Sequence, residues 1–326
     1  MKLGILGTGM IVEDFLTTID KLNFESVEIL GTLHSKEKTI NLYKKYNMKA
    51  YYFDYDEMLK SDLDTVYIAL PNHLHFDFAK KALENNKNVI IEKPVVSNSS
   101  QLKELIKIAE EKNLIMIEAV NIHYLPAFEE VKKNILKIGN PKIASFNYSQ
   151  YSSRYNSFKE GIILPAFDYK KSGGALMDIN IYNINFIVSL FGRPKSINYS
   201  ANIEKRIDTS GVLTMDYGSF KAVAIGAKDC KAPTMSVIQG DKGSFTFNKP
   251  VNQITSYEFI DNDNKCESYK VANVEHRLYY EFVEFIRIID EKDMDKVKKM
   301  LDISLIVSEI MEEARKMQKV VFGCEE

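Results

Sequence analysis

The sequence predicts two parts: an α/β part with a doubly wound parallel sheet, and an α+β part with antiparallel strands. Two observations support this prediction. In residues 1–120, short apolar runs alternate with amphipathic stretches, the pattern of a parallel sheet covered by helices on both faces. After about residue 140, strand-like runs follow one another through short turn-like links, which is typical of antiparallel sheet. We therefore expect a first domain at 1–120 and a second domain at 121–326.

The predicted elements of the first domain alternate between strand and helix. Strands are predicted at 2–6, 27–33, 65–69, 88–91 and 115–118, and helices at 11–19, 36–46, 75–84 and 101–111. Asn72 and the segment 97–100 precede two of these helices and carry the short polar side chains that cap helix N-termini. We expect them to cap those helices.

The second domain is predicted to hold one broad, mainly antiparallel sheet. Strands are predicted at 142–151, 196–204, 211–217, 220–227, 234–239, 244–247 and 253–260, and helices at 174–190, 275–289 and 295–317. We expect the two terminal helices to pack back near the first domain.

The composition is that of a globular protein without a strong charge of either sign. The 326 residues include 43 Lys and Arg against 45 Asp and Glu, for a formal charge of -2, and 45% are hydrophobic. This balance favours neither nucleic acid nor an anionic membrane as a partner, and no apolar run approaches the roughly 18 residues that span a bilayer. Cys230, Cys266 and Cys324 are odd in number and widely spaced. We expect no disulfide framework, no zinc site and a reducing, cytoplasmic location.

Two glycines follow the first predicted strand, in the segment Gly7-Thr8-Gly9-Met10-Ile11. One glycine permits a tight turn, and the other lets backbone N–H groups approach a pyrophosphate at the start of the next helix. A plain turn is the alternative, and Val12 stands where a third glycine is expected. Because the turn lies between a strand and a helix of a βαβ pattern, we expect residues 7–11 to bind a dinucleotide.

The residues after the second strand should distinguish NAD from NADP, because they meet the adenine ribose. An acidic residue there favours NAD, whereas basic or polar side chains accept a 2′-phosphate. His34, Ser35 and Lys36 occupy this place, ahead of Glu37 in the next helix. A helix cap with a solvated first turn is the alternative interpretation. We expect NADP in preference to NAD.

Three further motifs follow in order: Pro71-Asn72-His73-Leu74-His75, Glu92-Lys93-Pro94, and a segment from Gly173 to Tyr182 that contains Asp178. Together with the glycine turn they resemble the glucose–fructose oxidoreductase / inositol dehydrogenase / MocA-like (Gfo/Idh/MocA) family of NAD(P)-dependent oxidoreductases. With tyrosine at 182, the chain resembles the dihydrodiol and xylose dehydrogenases of that family. The resemblance implies a Rossmann domain and an α+β domain with a large open sheet, through which we expect a homodimer or homotetramer.

The resemblance also places residues of the first domain beside the nicotinamide: Pro71, Asn72, His75, Glu92 and Lys93. It implies that Glu92 lies near the nicotinamide ribose and that Lys93 reaches the reacting carbon. The alternative for Lys93 is a solvated surface charge, but this lysine leaves a parallel strand at the edge where ligands bind. The Lys93–Pro94 bond is a candidate for a cis peptide.

In the second domain the resemblance implies that Asp178 and Tyr182 contribute to the substrate cleft. Their i, i+4 spacing would place them on one helix face, and a capping Asp with a packed Tyr is the alternative. Asn180 and Asn183 depart from a glycine and a proline of the family, which would alter helix packing or the substrate rim. His123 lies where some relatives have arginine, and a buried or rim histidine is the favoured interpretation.

Aromatic and polar side chains cluster near the start of the second domain, at Tyr148, Gln150, Tyr151, Arg154 and Tyr155. This combination suits a polyhydroxylated small-molecule substrate, and Arg154 suits a carboxylate or a pair of hydroxyl groups. Packing of a sheet face with a solvated arginine is the alternative. The segment 261–264 lacks the glycine and glutamate of a calcium loop, so we expect no metal.

The resemblance implies an enzyme that transfers hydride between nicotinamide and a secondary alcohol or hemiacetal of a sugar, cyclitol or dihydrodiol. Tyr182 would be the acid and base, if the ordinary tyrosine pKa of about 10 is lowered by a nearby cation. Lys93 would be that cation and would also stabilise the alkoxide, while Asp178 would orient the substrate or hold Lys93. The alternatives are a regulator that senses NAD(P)H and a glycoside hydrolase that uses NAD transiently.

Overall fold

The computed structural model describes residues 1–271 and 275–326, which fall into two compact units. The first unit holds Met1–Ala119 and Leu278–Leu305, and the second holds Val120–Arg277 and Ile306–Glu326. The first unit therefore combines the N-terminal region with a segment from near the end of the chain.

A six-stranded sheet, parallel throughout, forms the centre of the first unit. The strands are β1 (Lys2–Leu6), β2 (Ser26–Leu30), β3 (Ala50–Tyr52), β4 (Thr65–Ile68), β5 (Asn88–Glu92) and β6 (Met116–Ala119). They lie in the order β3-β2-β1-β4-β5-β6, so the direction of winding reverses between β1 and β4. In such sheets, ligands bind beyond the carboxyl ends of the strands at the point of reversal. The predicted doubly wound parallel sheet is confirmed.

Along the chain, one α-helix lies between each of these strands and the next. These helices are α1 (Met10–Leu16), α2 (Lys36–Lys45), α3 (Tyr55–Leu59), α4 (His75–Glu84) and α5 (Ser99–Glu111). The sequence analysis missed β3 and α3, because segments of three and five residues are too short to show a hydrophobic period.

Only one of the two predicted helix caps is present. Asn98, within the predicted segment 97–100, accepts the Gln101 N–H at 3.0 Å and caps α5. The prediction for Asn72 is wrong, because the chain first forms a 3-10 turn, Asn72–Leu74, before α4 begins at His75. Asn72 therefore lies inside a turn that faces the carboxyl edge of the sheet.

An aromatic cluster anchors α1 within the first unit. Phe15 of α1 is fully buried and stacks on Phe282, with ring centroids 3.9 Å apart. Phe15 also meets Tyr67 of β4 edge-on at 5.5 Å. Such aromatic pairs contribute about 0.5–1.5 kcal/mol beyond the area that they bury. The cluster fixes α1, and with it the glycine turn that precedes the helix.

The described residues of the second unit form an eight-stranded sheet. The strands are β7 (Pro141–Ser149), β8 (Ser196–Glu204), β9 (Ile207–Asp216), β10 (Lys221–Ala227), β11 (Ser236–Gly240), β12 (Gly243–Phe247), β13 (Ser256–Asp261) and β14 (Cys266–Lys270). Their order is β14-β13-β12-β11-β7-β10-β9-β8, and β7 with β10 is the parallel pair in an otherwise antiparallel sheet. The predicted mainly antiparallel sheet is confirmed. The sequence analysis missed β14, because its residues are largely exposed and show no apolar alternation.

The remaining helices begin after β6. They are α6 (Pro126–Asn134), α7 (Tyr155–Lys159), a π-helical segment (Leu176–Asn180) that leads into α8 (Ile181–Phe191), α9 (Arg277–Glu291) and α10 (Met294–Met317). Phe186 of α8 packs against Phe146 of β7, with ring centroids 5.0 Å apart. The core of the second unit therefore lies between α8 and the sheet.

The stretch Tyr169–Phe191 corrects the expectation that no apolar run is long enough to span a bilayer. By length and composition alone, this helical stretch could cross a membrane. Of its most apolar window, 78% is buried within the protein. Such burial is typical of a helix at the centre of a folded domain, since its apolar surface already has partners.

Candidate active site

The turn between β1 and α1 holds two glycines with different roles. Gly7 has φ +112°, and a Cβ there would lie 2.5 Å from the Ala69 carbonyl oxygen, so the fold itself requires glycine. Gly9 has φ -74° and immediately precedes α1, and a Cβ there would meet no atom within 4 Å. The space beside Gly9 is therefore open next to a helix N-terminus, where the pyrophosphate of a dinucleotide fits.

Apolar side chains around this turn are unusually exposed. Met10 is 67% exposed and Leu33, after β2, is 75% exposed, while Thr8 and Ile11 are half-buried. Large apolar side chains next to an open glycine turn favour a surface that a ligand covers.

In the turn that follows β2, Thr32 and Ser35 form a reciprocal capping box, in which the hydroxyl of each accepts the backbone N–H of the other. The Thr32 hydroxyl oxygen accepts the Ser35 N–H at 3.3 Å, and the Ser35 hydroxyl oxygen accepts the Thr32 N–H at 2.9 Å. His34 and Lys36 are exposed. Because the Ser35 hydroxyl is held in the turn, the predicted contacts to a 2′-phosphate rest mainly on His34 and Lys36.

His75 is fully buried, and its predicted place beside the nicotinamide stays a prediction. Its Nδ1 lies 2.9 Å from the Pro94 carbonyl oxygen, and its Nε2 lies 2.8 Å from the Leu70 carbonyl oxygen. Burial lowers the pKa of His75, and the hydrogen bonds to the backbone oppose that effect. The ring therefore holds together the two loops that leave β4 and β5, and Pro71 and Asn72 lie in the first of these loops.

Glu92 and Lys93 stand where β5 ends, at the carboxyl edge of the sheet. Glu92 is 8% exposed, and its Oε1 accepts a hydrogen bond of 2.6 Å from the Tyr67 hydroxyl on the neighbouring strand. Lys93 is half-buried, and the Lys93–Pro94 peptide is cis, as the sequence suggested. The first unit thus combines an oriented carboxyl group with a half-buried ammonium at the edge that binds ligands.

A second acidic residue, Glu118 of β6, is buried near this edge at 4% exposure. Its Oε1 accepts the Val95 N–H at 3.0 Å. Burial raises the pKa of Glu118 to about 7; the charge of Glu92 adds to this effect, and hydrogen bonds from Ser304 and Val95 oppose it. Glu118 can therefore gain or lose a proton near neutral pH.

In the second unit, Asp178 and Tyr182 lie where the π-helical segment passes into α8. The Asp178 side chain is 37% exposed, whereas Tyr182 is 8% exposed. The sequence predicted a regular helix here, but π-helical turns of this kind occur frequently at functional sites. The segment is fixed at its start, because Asp208 Oδ2 accepts the Leu176 N–H at 2.6 Å.

A lysine that the sequence analysis missed completes this group. The Lys228 side chain is 3% exposed, and its Nζ lies 2.7 Å from Asp178 Oδ2. The same Nζ donates to the Ala166 carbonyl oxygen at 2.7 Å. A partly exposed carboxylate is thus held from behind by a buried cation, an arrangement that can orient a substrate hydroxyl group.

The predicted aromatic cluster divides into two groups. Tyr148 lies near Tyr182, with ring centroids 6.3 Å apart. Tyr151 and Tyr155 instead stay together, with ring centroids 5.6 Å apart, and the Tyr155 hydroxyl donates to Glu204 Oε1 at 2.6 Å. That hydrogen bond raises the pKa of Tyr155 to about 12, with burial adding to the effect. Arg154 immediately precedes α7 and is half-buried.

The chain is similar to known oxidoreductases over its whole length. Residues 1–120 match the family model described as Gfo/Idh/MocA, an oxidoreductase family with an NAD-binding Rossmann fold. The scyllo-inositol 2-dehydrogenase (NADP(+)) IolU of Bacillus subtilis (strain 168) is 32% identical over 329 residues, which cover 100% of this chain and 99% of that protein. The chain belongs to the Gfo/Idh/MocA oxidoreductase family. The predicted family and Rossmann fold are confirmed.

Further similarities agree with this family. A trans-1,2-dihydrobenzene-1,2-diol dehydrogenase of Xenopus tropicalis is 30% identical over 254 residues, covering 74% of this chain and 73% of that protein. A 3-ketoreductase from Actinomadura kijaniata, crystallised with NADP and TDP-benzene, has the same fold, with a TM-score of 0.84 over 99% of both chains at 16% identity.

The structure explains the two asparagines that depart from the Gfo/Idh/MocA pattern. Asn180 and Asn183 are 1% and 0% exposed, and their side-chain amides donate to the carbonyl oxygens of Ala224 and Ile225 in β10, both at 3.0 Å. A Cβ at Gly226 would lie 2.6 Å from the Cβ of Asn180. Both asparagines therefore contribute to the packing of the helix against β10.

His123 is buried at 6% exposure, as the sequence analysis favoured. Its Nε2 lies 3.1 Å from Asn185 Oδ1 and its Nδ1 lies 3.2 Å from Ser189 Oγ, both on α8. The ring thus ties the turn Asn121–Tyr124 to α8.

Glu118 in the first unit and Lys228 in the second unit carried different signals in the sequence. Glu118 is a charged residue inside an apolar strand, which by itself indicates a special environment. Lys228 follows an apolar strand without any motif and resembles a solvated lysine. Within residues 1–271 and 275–326, no group of three or more His, Cys, Asp or Glu side chains is placed to hold a metal ion.

Proposed function

We propose that this protein is a dehydrogenase that transfers hydride between NAD(P) and a secondary alcohol or hemiacetal of a sugar, cyclitol or dihydrodiol. The observation that carries the proposal is the partly exposed Asp178 carboxylate, held by the buried Lys228 ammonium, four residues before Tyr182. A carboxylate and a phenol at one site can orient a hydroxyl group and exchange its proton. The inositol and dihydrodiol dehydrogenases among the relatives support these substrate classes.

The cofactor is proposed to bind the first domain, residues 1–120, and the substrate the second domain, residues 121–326. The open space beside Gly9 and the exposed Met10 support the cofactor's place. A preference for NADP is supported by the exposed His34 and Lys36, and by the NADP(+) dependence in the name of the Bacillus relative.

The proposed mechanism assigns roles to three side chains. Bound NAD(P)+ supplies the hydride acceptor. Tyr182, as the phenolate, accepts the proton of the substrate hydroxyl during oxidation and returns it during reduction. Lys93 stabilises the negative charge that develops on the substrate oxygen, and Asp178 orients the hydroxyl group. Tyr151 and Arg154 are proposed to contact the remaining hydroxyl groups of the substrate.

The test measures nicotinamide reduction by purified protein with NADP or NAD and a panel of inositols, aldoses and a trans-dihydrodiol. Tyr182→Phe should lower turnover on a verified substrate by about 10²–10⁴-fold, with nucleotide affinity nearly intact, because the ring remains and the titrating oxygen is lost. Lys93→Met should cost at least as much.

The control is Tyr217→Phe, which removes a phenol that donates to the Gly192 carbonyl oxygen at 2.9 Å. This variant should keep its activity. If Tyr182→Phe also kept most of the activity, the role of Tyr182 would be wrong. Nucleotide binding without turnover of any panel member would instead favour the sensing regulator.

Assembly as a homodimer or homotetramer through the outer face of the eight-stranded sheet is proposed as well. Ile143 and Val212 on this face are 49% and 39% exposed, and Val212 lies in register with the half-buried Ile225. A second copy would cover this apolar surface. A monomer at micromolar concentration in light scattering would contradict this proposed assembly.

The cytoplasmic location of the protein stays a prediction.

A further inference from the structure

Lys228 is a buried cation that the proposed chemistry does not use directly. Its Nζ lies 2.7 Å from Asp178 Oδ2, 2.7 Å from the Ala166 carbonyl oxygen and 4.4 Å from the centroid of the Phe167 ring. Its backbone N–H donates to the Thr209 carbonyl oxygen at 2.8 Å. Both the main chain and the ammonium are therefore held in place.

The two members of the pair differ in exposure. Lys228 is 3% exposed at its side chain, whereas Asp178 is 37% exposed. Burial of an ammonium is unfavourable unless a partner of opposite charge compensates it, so the buried lysine requires a carboxylate beside it. The pair thus presents a carboxylate to solvent while its cation stays out of reach of a substrate.

A second carboxyl group, Asp208, lies within electrostatic reach of Lys228, but its oxygen has other partners. Asp208 Oδ2 accepts the Leu176 N–H at 2.6 Å and the Tyr199 hydroxyl at 2.9 Å. Burial raises the pKa of Asp208 to about 6, against those hydrogen bonds and the charge of Lys228. Asp208 therefore fixes the start of the helix, and the direct ion pair of Lys228 is with Asp178.

We propose that Lys228 is a positioning residue for hydride transfer: it keeps the Asp178 carboxylate ionised and in the orientation that accepts the substrate hydroxyl group. This inference rests on the proposed function. Because it is buried, Lys228 acts through Asp178 and does not touch the substrate. The neighbouring titratable groups are Tyr182, four residues after Asp178, and Asp208, which accepts the Leu176 N–H at the start of the π-helical segment.

The kinetic test compares Lys228→Met with a matched control, Lys205→Met. The Lys205 ammonium also donates to a backbone carbonyl oxygen, that of Phe158, and lies 4.6 Å from that ring. Lys228→Met should lower kcat/KM by about 10- to 100-fold, because one charge-assisted hydrogen bond is lost. It should also move the acidic limb of the pH profile of kcat/KM to higher pH. Lys205→Met should do neither, and nucleotide affinity should stay unchanged in both variants.

The same change is then made in an Asp178→Asn background. If Lys228 acts through Asp178, Lys228→Met should cost little there, because the carboxylate it supports is gone. An equal cost in both backgrounds, or an equal cost for Lys205→Met, would overturn the proposal. Should Lys228→Met not fold, Lys228→Gln keeps a donor for the Ala166 carbonyl and carries the same expectation.

A second readout does not depend on a substrate. Carbon-13 labelling of the aspartate side chains, with Asp178→Asn to identify the signal, follows the carboxyl group as pH changes. In Lys228→Met the midpoint of the Asp178 carboxyl titration should move to higher pH. An unchanged midpoint would refute the role of Lys228 even in an active enzyme. An unmodified protein that turns over no panel substrate would contradict the proposed function instead.

Discussion

The Tyr67 hydroxyl donates a hydrogen bond of 2.6 Å to Oε1 of Glu92. The two residues stand on neighbouring strands, and Tyr67 also meets Phe15 of α1 edge-on. One side chain therefore connects the glutamate at the end of β5 with the helix that begins after Gly9. Because both side chains are buried, this part of the first unit is organised without a ligand, which lowers the cost of binding one.

The glycine turn allows a test in which folding and binding separate. Gly9→Val should leave the fold intact, because a Cβ there meets no atom within 4 Å, but it should lower nucleotide affinity by about tenfold or more, since the side chain occupies the pyrophosphate's place. Gly7→Ala is the contrasting variant and should destabilise the protein, because its backbone has positive φ and faces the Ala69 carbonyl. Isothermal titration calorimetry measures the nucleotide affinity, and thermal unfolding measures the stability. Unchanged nucleotide affinity in Gly9→Val would contradict the placement.

The choice of coenzyme is predicted to depend on Lys36. If His34 and Lys36 hold a 2′-phosphate, NADP should bind more tightly than NAD, and added salt should reduce the difference. Lys36→Gln should narrow the ratio of the two Kd values by at most about tenfold, the effect of one charge-assisted contact. Lys45→Gln, on the same helix, serves as the control and should leave the ratio unchanged. Equal or tighter binding of NAD by the unmodified protein would count against the NADP preference.

Glu118 is predicted to make stability fall as pH rises. Its ordinary pKa is 4.5, and burial raises it to about 7 in the folded protein. Between these values the folded protein retains a proton that the unfolded chain has released, so the stabilisation is present below pH 4.5 and is lost as pH rises through about 7. The shift corresponds to about 3 kcal/mol of unfolding free energy.

Glu118→Gln keeps the acceptor for the Val95 N–H and removes the titration. Urea unfolding at several pH values from about 5 to 8 should show a smaller loss of stability in this variant than in the unmodified protein. Glu110→Gln, on the exposed side of α5, should behave like the unmodified protein. An identical pH dependence in Glu118→Gln would show that Glu118 does not carry the effect.

Gly226 and Asn180 are predicted to be coupled. Gly226→Ala should lower the unfolding free energy by about 1–3 kcal/mol, because its Cβ would lie 2.6 Å from that of Asn180. In Asn180→Gly the obstructing side chain is absent, so the added cost of Gly226→Ala should be smaller in that background. Chemical denaturation of the two single variants and the double variant measures the coupling. Strictly additive losses of unfolding free energy would show that the contact with Asn180 is not the reason for glycine at position 226.

Local features of the sequence were sufficient for much of the fold and for part of the site. The helix His75–Glu84 and the strands Lys2–Leu6 and Ser196–Glu204 have the bounds that the pattern predicts. The reason is that hydrophobic period and turn residues act over a few neighbouring positions. The glycine turn and the Glu92-Lys93-Pro94 segment are local in the same sense, since all their residues are adjacent in the chain.

Tertiary structure alone decided which partners the polar residues acquire. The pairing of Lys228 with Asp178, the burial of His75 between two carbonyl oxygens and the contact of Gly226 with Asn180 each join residues from different elements. Whether a lysine is solvated or buried beside a carboxylate depends on how those elements pack, and the residues adjacent to it carry no record of that packing. The sequence by itself therefore determined which elements follow one another along the chain. It also determined the order of the chemically reactive residues, from the glycine turn to Tyr182. Packing determined which side chains are oriented, shielded or left to meet a ligand, because burial and charge pairing depend on contacts between elements that are distant in sequence.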